Sequence, residues 1–494
     1  MNGAKRFFSG VATSYLYIIV TSLVALWLTP YTLSFVDRTH YGYYILLADI
    51  LTWVNLLQFG VSGVFNSKAA MCIGKNNYTQ LQRYTSTAQL MQGVSALLVF
   101  VVGIILMFFV DDLVDTSGIS HTDVFWTFFI AVVTSVVTII KQPLSAILIA
   151  NKQIHVDNIL NLLLYAGQVG LTVLFLNLGY SIISLAASHF IAVVVITFIT
   201  YMRVKHLPFK LDLLPRDFDK ATFWEMFSTG LWFSVGSIGQ IFIYKVDKFF
   251  IGSYISLGTV TSYYITSKLY DFANVFYSNF VNIARPYFSQ LYAKGEMEKL
   301  GRLYDLFLNG SILILVLMCS TIYLINPWFI SWWIKGDQVA YLGDTINLLI
   351  ALSIILQSSI LTNRALLAST LYKVKYQGLT RVAEGVFKFF ISLLLIGRLG
   401  IAGLLIASII SCISCSTIYM NYLSNRNLGR SIKYQIKNYV PYLSILILGV
   451  LYFVPNKVYG FCILCSLYFV IALIALKILP MDTRQQIKQM IKRK

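Results

Sequence analysis

The sequence predicts an all-α, polytopic membrane protein with about fourteen transmembrane helices. Three observations predict it. Only 12% of the 494 residues are charged, while 58% are hydrophobic and 15% aromatic; a soluble chain carries about a quarter charged residues. Apolar runs of about 20 residues, the length a helix needs to cross a bilayer, recur from end to end. The basic residues crowd into alternate intervals between these runs. That is the orientation signal of a membrane protein, so the formal charge of +18 needs no nucleic-acid partner, and no single Lys/Arg patch offers one.

The first run, residues 9–33, follows Lys5 and Arg6. A cleaved signal peptide would have a shorter apolar core ending in a small-residue cleavage site. This run gives about 37 Å of helix and is read as a retained first span. Further spans are predicted at 41–65, 84–110, 122–149, 156–177, 181–202, 222–246, 253–284, 303–327, 341–370, 374–397, 400–423, 435–454 and 458–479. With the N-terminus placed in the cytoplasm, 29 of the 38 basic residues fall on cytoplasmic segments and helix ends and 6 on the opposite side. The excess predicts cytoplasmic N- and C-termini. The acidic loop "DDLVDTSGISHTD" (111–123) then lies outside.

Several short matches recur at an offset near 220 residues. "GYYI" (42–45) returns as "SYYI" (262–265), and "IGKNNYTQLQRY" (73–84) returns in character as "AKGEMEKLGRLY" (293–304). A constant offset predicts two parallel six-helix repeats. The predicted organisation is an N-lobe at 1–202, a cytoplasmic linker at 203–221, a C-lobe at 222–430, and two further helices with a basic cytoplasmic tail at 431–494.

No interval is long enough for a soluble domain, and no GxxxxGK[ST] motif is present, which removes an ATPase module. Cys412/Cys415 and Cys462/Cys465 have C-x-x-C spacing but sit in apolar runs without histidine or charge. They read as small apolar fillers, and no metal site, cofactor or disulfide framework is predicted.

The residues that stand out are charges inside the spans, which are costly and mark functional cavities by default. Lys268 and Asp271 lie three apart in span 253–284, and so share a helix face. Arg381, Glu384 and Lys388 lie at i, i+3 and i+7 in span 374–397, within about 60° of arc. Asp49 lies within span 41–65, Arg364 near the end of span 341–370, and Arg285 at the end of span 253–284. One reading has these charges pair locally, Lys268 with Asp271 and Arg381 with Glu384, and only hold helices together. The other notes that Lys268, Arg364, Arg381 and Lys388 outnumber Asp271 and Glu384, a lining that attracts an anion such as a diphosphate. Asp271 is also a candidate carrier of a coupling proton. The many Tyr and Trp residues offer flat surfaces for sugar rings, but core and belt packing accounts for most of them.

The stretch "YGYYILLADILTWVNLLQFGVSGVFNSKAA" (41–70), together with two six-helix repeats and two extra helices, resembles the polysaccharide/O-antigen flippases of the multidrug/oligosaccharidyl-lipid/polysaccharide (MOP) exporter superfamily. The family pattern is matched by Tyr41-Gly42, Leu57–Gly60 and Lys68. Where members often carry Asp-Leu-Gly, this chain has Gln58-Phe59-Gly60. The resemblance implies a transporter, not an enzyme, of the bacterial inner membrane. It implies movement of an undecaprenyl-diphosphate-linked oligosaccharide, an O-antigen or other surface polysaccharide repeat unit, by alternating access through a cationic central cavity. It also implies an ion gradient, of protons or sodium, as driving force, and a polysaccharide polymerase and other assembly proteins as partners.

The same residues bear on rival functions. A multidrug exporter of the superfamily usually has twelve spans and acidic cation sites; the lipid II flippase is equally fourteen-helical. A membrane glycosyltransferase or O-antigen polymerase needs a sizeable outside loop with catalytic residues, for which only Asp111 and Asp112 are candidates. A scaffold without transport would have no reason to bury charges along one face of span 374–397.

Overall fold

The computed structural model describes residues 3–209, 211–335, 340–370, 374–430, 440–454 and 457–478. The basic tail from 479 onward, the first residues of the predicted span 435–454 and Lys373 lie outside the described residues. The described residues form helices joined by turns and short irregular segments, with no strand among them. The helices are α1 (Gly3–Leu33), α2 (Arg38–Val54), α3 (Val61–Gly74), α4 (Tyr78–Phe108), α5 (Val110–Leu113), α6 (His121–Ala150), α7 (Ile154–Asn177) and α8 (Ile183–Lys205). They continue as α9 (Lys220–Tyr244), α10 (Val246–Tyr254), α11 (Leu257–Ile283), α12 (Arg285–Ala293), α13 (Met297–Trp333), α14 (Asp344–Thr370), α15 (Val374–Ser411), α16 (Ile418–Asn427), α17 (Leu446–Phe453) and α18 (Lys457–Ile478).

Among the described residues nine helices are long and apolar enough to cross a membrane, or ten if the bent pair α2–α3 is one span. One of the nine is the continuous stretch Lys375–Asn427, which covers two predicted spans and is divided by Gly400 at φ 56°. Span 253–284 contributes α11, 27 residues long but laden with polar side chains. This is a polytopic membrane fold.

Two predicted elements need correction. The predicted continuous span 41–65 is broken. Asn55–Gln58 tightens into a 3₁₀ turn, Phe59 and Gly60 take left-handed conformations, and α3 leaves α2 at 55°. Glycine tolerates that conformation without penalty, which accounts physically for the Leu57–Gly60 signature. The interval after span 222–246 is also not a loop. The chain turns at Lys245 and re-enters a helix at Val246, so Asp247 and Lys248 stand on α10.

The chain clusters into two compact units, Met1–Ile265 with Lys373–Cys415, and Thr266–Tyr372 with Ser416–Lys494. In the first, α4, α6, α7 and α8 pack together with α1 and α3 against them, and α9 packs along α15. Gly42 is required where α2 crosses the start of α11: a Cβ there would lie 1.9 Å from the Leu257 carbonyl oxygen. The segment between α8 and α9 is anchored to α4. Gln82 of α4 exchanges two 2.9 Å hydrogen bonds with the Asp212 backbone, and Ser86 donates to the Leu214 carbonyl.

In the second unit, α11 buries Thr266, Tyr270, Ala273, Tyr277 and Val281, a 3–4 residue repeat that defines one helix face. Leu308, Ile312, Leu315, Cys319 and Tyr323 of α13 and Ile350, Ala351 and Ile355 of α14 are buried as well, α13 packs on α14, and Tyr277 of α11 donates to Ser311 of α13. A buried hydrogen-bond network runs through this core. Tyr270 donates to Asn347 Oδ1 at 2.8 Å, Asn326 donates to the same oxygen and to the Thr266 carbonyl, and Asn347 donates to the Tyr323 carbonyl. Arg430 closes a bidentate pair with Asp305, both bonds 2.7 Å. All six cysteines, Cys412/Cys415 and Cys462/Cys465 included, are thiols.

Candidate functional site

The seam between α9 and α15 is built from small residues. A Cβ on Gly239 would lie 2.4 Å from the Arg381 carbonyl carbon and 2.5 Å from the Val382 nitrogen; one on Gly385 would meet Phe242 at 2.7 Å. Gly236 and Gly378 face each other across the same seam. Close backbone approach of this kind is how helices associate where lipid supplies no hydrophobic drive. It sets Arg381, Glu384 and Lys388 beside the C-terminal turn of α9, where the chain bends at Lys245.

That bend distributes its charges two ways. Asp247 Oδ1 pairs with Lys388 Nζ at 2.8 Å, and Lys388 also donates to the Ile243 carbonyl. Lys388 is 0% exposed and Asp247 8%. In the other direction, Asp49 of α2 takes two lysines, Lys245 on Oδ1 at 2.7 Å and Lys248 on Oδ2 at 3.1 Å. Asp49 is buried, whereas the Lys245 side chain keeps 37% exposure. Trp53 stacks on Phe242 and Lys248 lies 5.7 Å over the Tyr264 ring. Glu384 is fully buried and Arg381 half-buried; Tyr244 lies in the field of both.

The cluster therefore holds four bases, Lys245, Lys248, Arg381 and Lys388, and three acids, Asp49, Asp247 and Glu384. A buried charge persists only when paired, and here the lysines have carboxylate partners. The net excess is a single positive charge. The sequence alone singles out Asp49, Arg381, Glu384 and Lys388. It does not single out Asp247, Lys245 and Lys248 as site residues, since 247–252 reads as an outside interval and Lys245 as the outer end of span 222–246. The signal available was the pattern Lys-x-Asp-Lys at 245–248, in a chain whose span 374–397 carries a lysine of its own to be matched.

The remaining expected residues lie in the second unit or at its edge. Lys268 is half-buried and Asp271 exposed, on the side of α11 away from the buried tyrosine face. Arg285 is exposed at the start of α12 and donates to Asn282 Oδ1 at 2.8 Å. Arg364 stands on α14, and its side chain lies outside the described residues.

A further ion pair joins the far end of the bent segment to α9. Lys68 of α3 pairs with Glu225 Oε1, and Tyr84 of α4 donates to Glu225 Oε2 at 2.7 Å. The broken α2–α3 segment is thus tied to α9–α10 at two places, at Asp49 and at Lys68. Among the described residues no group of three His, Cys, Asp or Glu side chains is arranged to hold a metal ion.

The fold has known counterparts. The chain is similar to the lipid II flippase MurJ in an inward closed conformation, with a TM-score of 0.66 and 13% identity over 94% of this chain and 99% of that one. It is similar to an inward-facing multidrug resistance MATE family transporter of the MOP superfamily, with a TM-score of 0.58 and 13% identity over 84% and 96% of the two chains. A MOP superfamily transporter from Pyrococcus furiosus, described as having a binding pocket of reverse polarity, matches with a TM-score of 0.57 and 12% identity over 86% and 95%. No family model and no curated protein matches the sequence. At these identities the likeness is one of fold: the chain shares the polytopic helical fold of these structures.

Proposed function

We propose that the protein is a flippase that carries an undecaprenyl-diphosphate-linked oligosaccharide, an O-antigen or related repeat unit, across the bacterial inner membrane. The carrying observation is the cluster of four bases and three acids where α2, α9, α10 and α15 meet, with Asp49, Asp247, Glu384 and Lys388 buried. Its surplus cation and the 37% exposed Lys245 favour an anionic group, and Asp49 supplies a partner that a diphosphate can displace. The weight falls on Lys245 and Lys248 and not on Lys388, whose ammonium is enclosed with Asp247. The offset near 220 residues in the sequence supports two lobes, 1–202 and 222–430, moving in alternating access, with both termini cytoplasmic and an ion gradient as the drive. A polysaccharide polymerase is the natural consumer of the product.

The test is transport into proteoliposomes of a fluorescent polyprenyl-diphosphate-linked sugar, followed by a reagent that reaches only the outer leaflet. Charge-assisted hydrogen bonds are worth about 1.5–3 kcal/mol, so Lys245→Ala with Lys248→Ala is expected to lower transport roughly tenfold or more. Wild-type transport in the double variant rejects the role given to these lysines. A second reading, lipid II as cargo, is favoured by the fold likeness over 94% of the chain; the same assay with lipid II decides it.

A further inference from the structure

The first unit contains a cavity of about 300 Å³ between α3, α6 and α7. It stands apart from the charge cluster above, and its wall is polar: Ser62, Asn66, Lys141, Gln142, Asp157 and Asn161 all line it. Lys141 and Asp157 are both 7% exposed. They are joined through an amide. Lys141 Nζ donates to Asn161 Oδ1 at 2.9 Å, and Asn161 Nδ2 donates to Asp157 Oδ2 at 3.1 Å. Gln92 donates to Ser62 at 2.6 Å, and Ser62 bonds Gln142. The bend at Phe59–Gly60 starts α3 at this level and brings Ser62 and Asn66 to the wall.

Two features of this wall select a ligand. Its formal charge is zero, one lysine against one aspartate, so it has no surplus cation for a phosphate. The Ser145 hydroxyl lies beside the Asp157 carboxyl. Two of the wall's acceptors, Asn66 Oδ1 and Asp157 Oδ1, have no hydrogen-bond partner among the described residues. Buried polar atoms are rarely left so. An ionised phosphate brings only acceptors and would leave both oxygens, one of them of a carboxylate, unpaired. A hydroxyl donates and accepts at once and satisfies both. The volume is at the lower end of the ~300–1,000 Å³ of ligand pockets, which suits one sugar ring and not a chain of them.

We infer that the cavity lined by Ser62, Asn66, Lys141, Asp157 and Asn161 is a binding site for a neutral, hydroxyl-rich group of monosaccharide size. It rests on the flippase reading only for the source of the sugar, which is either a lipid-linked glycan or a free glycoside. Asn161 bridges the two charges, and Asp157 accepts from sugar hydroxyls.

The experiment is calorimetric titration of the full-length protein in detergent with a panel of neutral methyl glycosides, a methyl uronate and inorganic diphosphate. The variants are Asn161→Ala, Asp157→Asn and Asn66→Leu, each first shown by gel filtration and ligand-free melting to be folded. At least one neutral glycoside is expected to bind, weakened about tenfold or more in each of the three variants, with diphosphate affinity unchanged. A neutral glycoside preferred over the uronate supports the inference. Loss of the folded state in one variant leaves the decision to the other two. No binding by wild type up to millimolar glycoside, equal affinity in the folded variants, or preference for the uronate overturns it. A lipid-linked sugar competing for the glycoside site assigns the source to the cargo. If flipping fails but glycoside binding persists, the transport reading falls and the site stands. If flipping persists while no glycoside binds, the site falls and the transport reading stands.

Discussion

Two helices carry charges that look alike in the sequence and are handled oppositely in the fold. On α15, Glu384 and Lys388 are fully buried, packed against α9 across a glycine seam, and Lys388 is held by Asp247. On α11, Lys268 is half-buried and Asp271 exposed, while the opposite face of the helix takes the tyrosines into the core. The difference lies in the neighbours and not in spacing. Glycines at 236, 239, 378 and 385 let a backbone approach α15 closely enough to enclose a lysine. α11 directs bulky side chains inward and leaves its charges on the other side. A charge in a membrane helix is therefore read correctly only together with the residues three and four positions either side of it.

The largest effect that separates the two helices is on stability. Removing one partner of a buried pair leaves the survivor uncompensated, at about 3–5 kcal/mol. Lys388→Ala and Asp247→Ala are each expected to lower the melting temperature of the purified protein sharply. The apolar double replacement Lys388→Met with Asp247→Leu recovers most of the loss, because the pair itself is near break-even against well-packed apolar groups. If either single variant melts like wild type, the enclosed pair is not as described. The seam that encloses the pair is open to the same test. Gly239→Ala places a Cβ 2.4 Å from the Arg381 carbonyl carbon, so α9 and α15 must separate. Overpacking of this kind costs about 1–3 kcal/mol, and an unchanged melting temperature would show that the seam yields freely.

On α11 the expected stability effect is smaller. Exposed ion pairs contribute at most about 1 kcal/mol; with Asp271 exposed and Lys268 only half-buried, Lys268→Ala and Asp271→Ala should each change melting less than Lys388→Ala. Any large loss of transport at matched protein level then reports on the cargo or on coupling. Asp271→Asn with unchanged pH dependence of transport removes the proton-carrier role. A melting drop as large as that of Lys388→Ala would instead make α11 a second enclosed site and erase the contrast.

The all-helical membrane fold was legible because apolar runs of helical length admit few alternatives. The sequence also pointed to Tyr41-Gly42 and Leu57–Gly60, whose meaning is local backbone geometry. At Gly42 a Cβ would stand 1.9 Å from a carbonyl oxygen, too close for any side chain, and Phe59–Gly60 makes a left-handed turn. The pairing of charges was not legible. Asp49 finds its lysines 196 and 199 positions away, at Lys245 and Lys248, and Lys388 finds Asp247, which no periodicity links to it. The Lys141–Asn161–Asp157 bridge escaped for a second reason. Lys141 lies inside span 122–149 but counts with the cytoplasmic helix-end charges in the orientation pattern, whereas α6 buries it.

The smallest effect belongs to a charge of a third kind, solvated but hydrogen-bonded, at the start of α9. Asp219 caps that helix: its Oδ2 accepts from the Thr222 amide at 2.9 Å and from the Thr222 hydroxyl at 2.5 Å. The bond from the Thr222 hydroxyl, and after it the bond from the amide, hold the carboxyl below its ordinary range. A lowered folded-state pKa means that ionisation favours the folded form. The contribution is complete above the unfolded value, about 3.9 for aspartate, and is lost as pH falls through the lower folded value. Asp219→Asn keeps an acceptor at the cap and removes only the charge. At pH 7 the variant is expected to melt slightly below wild type, and the gap should close as the pH is brought down through the carboxylate range. Asp219→Ala should instead stay below wild type at both ends, since it loses the cap itself. A gap for Asp219→Asn that is constant with pH, or that widens in acid, would mean that the carboxylate draws nothing from the helix terminus and that the cap is an amide-like contact only.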